Sequence, residues 1–307
     1  MKKIIILGGS GMLGSMLVDF FSQQKDYSVT ASVRNENLKN EKKILYPEVK
    51  WIAVNANHEK SSFYLDEISG FDWIINAIGV TKPLIKDDEP ESIARAIFIN
   101  SVFPEQLAKI ARTHDARVIQ IATDCVYSGS KGNYNESDVH DAYDVYGKTK
   151  SLGECFELNV KNLRCSIIGP EIKDHKFLLD WFLQQPRGAA LKGFSNHEWN
   201  GITTLHFAKL CHGIIKENIE LPHIQHIIPE DKISKADMLK AFAAYYGRQD
   251  ISIETVNADM QIDRTLSTEN KELNLKIWHA AGYERPPTIE KMIEELSQIN
   301  FKEGAER

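Results

Sequence analysis

The stretch "KKIIILGGSGMLGSML", residues 2–17, opens with two lysines and an apolar run and then places glycines at 8, 11 and 14. An export signal needs an apolar core of about 7–15 residues and a small-residue cleavage site. Here the run Ile4-Ile5-Ile6-Leu7 ends at Gly8, the length of one buried strand. It leads directly into G-x-x-G-x-x-G and then into an amphipathic helix with Met12, Leu13, Leu17, Val18 and Phe21 at helical spacing. In that context Gly8 permits a tight turn, Gly11 lets backbone approach a pyrophosphate, and Gly14 lets the helix pack close to the sheet. The helix start offers free N–H groups to the anion, with Ser10 and Met12 in the same turn. The alternative is a glycine-rich turn that holds nothing.

Working outward, Tyr27–Val33, Trp51–Val54, Phe71–Ile78, Arg117–Ala122 and Leu163–Ile168 read as further strands. Helical stretches separate them, notably Glu91–His114 and Tyr143–Leu158. Strands apolar throughout, alternating with helices, predict a parallel sheet covered on both faces, and the right-handed crossover rule makes it doubly wound. After Ile168 the rhythm breaks at Gly169-Pro170, Pro186-Arg187-Gly188 and Gly193. Helices are expected at Lys173–Gln184, Thr203–Ile215, Lys235–Tyr246 and Thr288–Gln298. The expectation is an α/β, Rossmann-type doubly wound sheet over residues 1–168, with a return near 203–230. A smaller, partly interleaved α+β substrate lobe is expected over 169–307.

Composition narrows the function. A charge of −6 over 307 residues, with no basic block, argues against a nucleic-acid polymer as partner. No segment reaches the roughly 18 apolar residues of a membrane span. Cys125, Cys155, Cys165 and Cys211 form no C-x-x-C pair, and His197-Glu198 is not followed by the second histidine of H-E-x-x-H. Reduced thiols in a cytoplasm and no metal site are expected.

The end of the second strand, Ala31-Ser32-Val33-Arg34-Asn35, has no carboxylate before Glu36. An acid there reads the 2′-hydroxyl of NAD, whereas an arginine accommodates the 2′-phosphate of NADP. Ser32 and Arg34 therefore favour NADP(H), with NAD(H) as the alternative cofactor and a solvated loop arginine as the plain reading of Arg34. Asn76, at the end of the fourth strand in "FDWIINAIGV", marks where backbone through Ala77 and Ile78 passes beneath the cofactor. Asn100 in "FINSVFP" is either polar support for that turn or a helix asparagine with no role.

"YDVYGKTKSLGE" carries Tyr146 and Lys150 as Y-x-x-x-K, which puts phenol and ammonium on one helix face. A neighbouring cation favours phenolate, so the tyrosine pKa is expected to fall towards working pH. Tyr143, the rival phenol, has Gly147 as its i+4 partner. Upstream, "RVIQIATDCVYSG" ends a strand at Thr123, at the sheet edge where ligands bind.

GGSGMLG, NAIG, ATDCVYSG and YGKTK, in this order, resemble the extended short-chain dehydrogenase/reductase family, and within it the dTDP-4-dehydrorhamnose reductases of nucleotide-sugar biosynthesis. The resemblance implies a Thr123–Tyr146–Lys150 catalytic triad, with Tyr146 as general acid and Lys150 also holding the nicotinamide ribose. It implies reduction of the C4 ketone of a nucleotide-linked 4-keto-6-deoxy sugar, and a homodimer is open. The family's 4,6-dehydratases carry Thr-Asp-Glu where this chain has Thr123-Asp124-Cys125; a cysteine does not replace that base, and Asp124 fits the epimerases poorly. The reductases carry an aromatic residue at Cys125, so the sugar pocket differs here. An epimerase and a non-catalytic NADP-binding regulatory subunit stay as alternatives. Asn55 stands where the family commonly has an adenine-reading aspartate.

In the second lobe, "GFSNHEWNGITTLHFAKL" and "DRTLST" resemble the reductases' substrate side, which makes Trp199, Thr203 and Arg264 substrate candidates beside Cys125 of the Thr123 turn. Arg187 and Arg264 are the candidates for the nucleotide diphosphate, since arginine's fork suits phosphate; surface salt bridges are the alternative for both.

Overall fold

The computed structural model of the chain describes residues 1–56, 69–172 and 175–302. Its first half runs β1 (Lys2–Leu7), α1 (Met12–Ser22), β2 (Tyr27–Val33), α2 (Glu36–Leu45), β3 (Lys50–Ala53), β4 (Trp73–Asn76), α3 (Pro90–Ile97), α4 (Phe103–Thr113), β5 (Arg117–Ala122), α5 (Val145–Leu152), β6 (Val160–Arg164) and β7 (Ile167–Ile168). The second half runs α6 (Leu178–Leu183), β8 (Ala190–Phe194), β9 (His197–Trp199), β10 (Ile202–Thr203), α7 (Thr204–Glu217), β11 (Ile224–His226), β12 (Ile233–Ser234), α8 (Lys235–Tyr245), β13 (Ser252–Val256), β14 (Ile262–Asp263), α9 (Lys271–Ala280) and α10 (Ile289–Ser297).

Seven strands form one parallel sheet in the order β11-β6-β5-β4-β1-β2-β3, a doubly wound Rossmann-type fold. The order reverses beside β1, so the first βα turn opens at the switch point where such sheets bind ligands. Ile4–Leu7 are at most 1 % exposed, which is why this strand reads as an unbroken apolar run. β11 closes the far edge on β6, pairing Ile224 with Asn162, and α7 packs on α1. Outside that sheet lie a three-stranded sheet, β12-β9-β14, and the parallel pairs β8–β13 and β7–β10.

Several boundaries depart from the sequence reading. Leu163–Ile168 is two strands: β6 ends at Arg164 in the main sheet, and β7 pairs with β10 in the second lobe. Glu91–His114 is α3 and α4 joined by a π-type turn at Phe98–Val102, a feature common at functional sites. Tyr143–Leu158 shortens to α5. Its last turn is capped by the Gly153 N–H on Thr149 O and Lys150 O, both 3.2 Å, and Glu154 then turns inward to Arg164. Lys173–Gln184 reduces to α6; residues 173–174 lie outside the described residues.

Candidate active site

The carboxyl ends of β1, β2, β4 and β5 open on one cleft of about 500 Å³. Gly8, Ser10–Leu13, Ser32–Arg34, Asn55, Ala77–Val80, Thr123–Cys125, Tyr146 and Lys150 line it. The turn into α1 is tight: Gly8 has φ +84°, and a Cβ on Gly14 would lie 2.0 Å from Gly8 O. Gly14 therefore sets how close helix and turn approach, and it is not a lining residue. The Ser32 hydroxyl accepts the Gly8 N–H at 3.1 Å, fastening the turn to β2. Gly11 caps α1 without a side-chain hydrogen bond, and the first turn carries no acid, so its N–H groups are left for an anion.

Asn76 stands behind the cleft. It is fully buried, its amide donating to Gln120 Oε1 (2.7 Å) and its Oδ1 accepting the Ile78 N–H (3.1 Å). A buried amide has to satisfy its own hydrogen bonds. Asn76 thus shapes the Ala77–Ile78 backbone and does not line the cleft. Asn100 supports that turn from the π-type segment. It bonds the Val80 N–H (2.9 Å) and Val80 O (3.0 Å), and it donates to Thr149 Oγ1 on α5 at 3.2 Å.

α5 is fixed at its start by Asp144, which accepts the Gly147 N–H at 2.8 Å and pairs with Lys82 at 2.7 Å. This presents Tyr146 and Lys150 to the cleft, while Tyr143 is 83 % exposed. Lys150 Nζ donates to Ile121 O at 2.9 Å, and burial pushes its pKa down to about 8. Tyr146 departs from expectation: burial, reinforced by Cys125, raises its pKa well above the ordinary phenol, against the pull of the Thr123 hydroxyl. Lys150 lines the same cleft as the phenol. Thr123 is held by its own turn, donating to Asp124 Oδ1 and accepting the Cys125 N–H, both at 3.2 Å. Burial also raises Asp124 and pushes the Cys125 thiol up to about 12, so Cys125 is no base.

The substrate candidates separate. Cys125 lines the cleft. Arg187 is exposed in the turn before β8 and is not brought to it. Thr203 is buried, its hydroxyl bonded to His206 Nδ1 (2.7 Å) and to the His206 N–H as the N-cap of α7. Trp199 and Arg264 are outside the lining as well, although Arg264 Nε donates to Tyr127 O at 2.9 Å, just past the Thr123 turn. Sequence reasoning missed Lys82, Ser166, Ile167, Glu171 and Phe177, which line the cleft from segments with no motif of their own. Among the described residues no group of His, Cys, Asp or Glu could hold a metal, and no helix is long and apolar enough to cross a membrane.

The RmlD substrate binding domain family model matches residues 1–168. The bovine (Bos taurus) methionine adenosyltransferase 2 subunit beta is 26 % identical over 153 residues, 50 % of this chain and 42 % of that protein. A dTDP-4-dehydrorhamnose reductase of Mycolicibacterium smegmatis is 29 % identical over 156 residues, 50 % of this chain and 40 % of that one. The matches therefore span less than half the length of these relatives. Among solved structures, dTDP-4-dehydrorhamnose reductase from Yersinia enterocolitica superposes with a TM-score of 0.73 at 20 % identity, covering 97 % of this chain and 99 % of the other. The Bacillus anthracis dTDP-4-dehydrorhamnose reductase in complex with NADP gives 0.72 at 18 % identity, covering 96 % and 99 %. With the family match running from the glycine turn through the Tyr146–Lys150 helix to the end of β7, more than half its length, this chain belongs to the RmlD substrate binding domain family.

Proposed function

We propose that the protein is an NAD(P)H-dependent oxidoreductase that reduces the C4 ketone of a nucleotide-linked 4-keto-6-deoxy sugar, in nucleotide-sugar and polysaccharide biosynthesis. The observation that carries this reading is that Thr123, Tyr146 and Lys150 share one cleft with the Gly8–Leu13 turn. The uncapped start of α1 suits a pyrophosphate. Arg34, at the cleft-facing end of β2, favours NADP(H) over NAD(H). A bound dinucleotide supplies the hydride. Tyr146, kept protonated by burial, gives its phenolic proton to the oxygen that becomes the product hydroxyl. Thr123 orients that oxygen, and Lys150, anchored on Ile121 O, keeps positive charge beside the phenol as its proton leaves. A neutral Cys125 thiol leaves no acid–base pair for dehydration.

A second reading is favoured by the beta subunits among the relatives: a cofactor-binding partner of another enzyme, without turnover of its own. One experiment separates them. The protein is incubated with NADPH and a panel of nucleotide 4-keto-6-deoxy sugars, and NADPH consumption is followed together with the configuration of the product hydroxyl. Consumption that Tyr146→Phe abolishes supports the reductase; NADPH binding with no turnover on any sugar supports the subunit. Interconversion of a nucleotide sugar with no net NADPH consumption points to an epimerase.

A further inference from the structure

The loop between β4 and α3 is tied to the start of α5, and both segments line the cleft: Val80–Leu84 from the loop, Tyr146 and Lys150 from the helix. Lys82 opens a 3-10 turn, Lys82–Leu84, whose capping residue Thr81 makes no side-chain hydrogen bond to it. The Thr81 hydroxyl is buried without a partner among the described residues. The loop is fixed instead by bonds to its surroundings. Asn100 holds Val80 by its N–H (2.9 Å) and its carbonyl (3.0 Å). Further along, Lys82 Nζ donates to Asp144 Oδ2 at 2.7 Å, and Asp87 Oδ2 accepts the Val145 N–H at 3.3 Å.

The two turns of α5 are held by different means. The second is bound to the π-type segment by neutral hydrogen bonds, Asn100 Nδ2 to Thr149 Oγ1 (3.2 Å) and Ser101 Oγ to Thr149 O (2.7 Å). The first turn carries Tyr146 and packs on the Thr123–Cys125 turn, so closely that a Cβ on Gly147 would run into Cys125 O. Asp144 joins this first turn to the loop. Its Oδ1 caps the helix by accepting the Gly147 N–H at 2.8 Å, which leaves Oδ2 for Lys82. An exposed ion pair ordinarily contributes little, because two mobile side chains have to be ordered. Here the cap has already ordered the acid, whose side chain is 22 % exposed, and only Lys82, at 57 %, has to be immobilised. A helix of eight residues has little stability of its own, so the seat of its first turn depends on such ties.

We infer that Lys82 is a positioning residue: through Asp144 it holds the first turn of α5 against the Thr123–Cys125 turn and so places the Tyr146 hydroxyl. The role rests on the reductase reading of Tyr146. Lys150 sits one turn further on and has its own bond to Ile121 O, so loss of the Lys82 tie shifts the phenol while the ammonium stays.

Steady-state kinetics with NADPH and the nucleotide 4-keto-6-deoxy sugars, together with hydrogen–deuterium exchange of the peptide over residues 143–152, test this role. Lys82→Met is expected to lower kcat about tenfold while the KM for NADPH stays within about twofold, the pattern of a misplaced acid. Asp144→Asn keeps a capping oxygen but loses the charge, and should match Lys82→Met. The double variant should lose no more than either single one, and Lys82→Arg should recover kcat to within about threefold of wild type. Exchange over 143–152 is expected to quicken at least about twofold in Lys82→Met. A Lys82→Met kcat within about twofold of wild type overturns the role, even where exchange quickens. Losses that multiply in the double variant overturn it as well. Wild type that turns over none of the sugars overturns the reductase reading, and the hold of Lys82 on α5 is then judged on exchange alone. Faster exchange in Lys82→Met supports that hold; unchanged exchange overturns it.

Discussion

Two walls of one cleft are made by different means. The wall at the glycine turn comes from short contiguous segments, Gly8 with Ser10–Leu13, Ser32–Arg34 and Ala77–Val80, delivered by neighbouring parallel strands. The opposite wall carries the side chains of Thr123, Tyr146 and Lys150, from the end of β5 and from α5. The first wall tolerates no added atoms, because its shape is its chemistry.

The largest expected effect breaks the second wall alone. Tyr146→Phe is expected to reduce turnover by about 10²–10⁴-fold, the usual worth of a positioned acid. NADPH affinity should stay unchanged in a fluorescence titration; a variant with normal turnover would remove Tyr146 from the reaction.

Next comes the buried network around Arg164 on β6, beside β11 of the main sheet. Arg164 is fully buried and pairs with Glu154 at 2.5 and 3.0 Å, Tyr127 Oη at 2.7 Å and His226 Nε2 at 2.6 Å. Arg164→Met leaves Glu154 charged and unpaired, with an expected cost of about 3–5 kcal/mol in denaturant unfolding. Glycine packing should follow. Gly14→Ala drives a Cβ into Gly8 O, so the first wall must open, at about 1–3 kcal/mol and with weaker NADPH binding.

Two pH effects are smaller. Burial and the Arg164 charge push His226 down to about 4 from 6.5. Between those values the unfolded chain takes up a proton that the folded chain refuses, so this contribution to stability falls as pH drops through the window. A denaturation midpoint equal at pH 7 and pH 5 would contradict it. Lys150, at about 8, should give kcat/KM a falling limb near that pH, absent in Lys150→Arg. The smallest effect is Arg187→Ala, expected to change neither affinity nor turnover, since its side chain is exposed outside the cleft.

The first wall was legible because it is short-range. The four-residue apolar run, the glycine spacing and the helix pattern sit within residues 2–21, and each needs only its neighbours to have meaning. The Y-x-x-x-K pair was legible for the same reason, as were β2 and β5 to the residue. What local pattern misjudged was the job of polar residues. Asn76 and Thr203 sit where ligand contacts belong in sequence, yet each is consumed by a neighbour's unsatisfied N–H or imidazole. Cation spacing on a helix also does not state how much water the phenol keeps, and that desolvation set the direction of the Tyr146 shift.

By itself the sequence determined the parallel sheet, the glycine turn at its switch point and the placing of Tyr146 and Lys150 on one helix, since hydrophobic period, glycine freedom and i,i+4 geometry are properties of contiguous residues. Only the tertiary structure decided that Leu163–Ile168 divides between two sheets, that Arg187 faces solvent, and that Arg264 is tied to Tyr127 O. Those depend on which distant segments compete for the same buried space and hydrogen bonds, and no run of neighbouring residues encodes that competition.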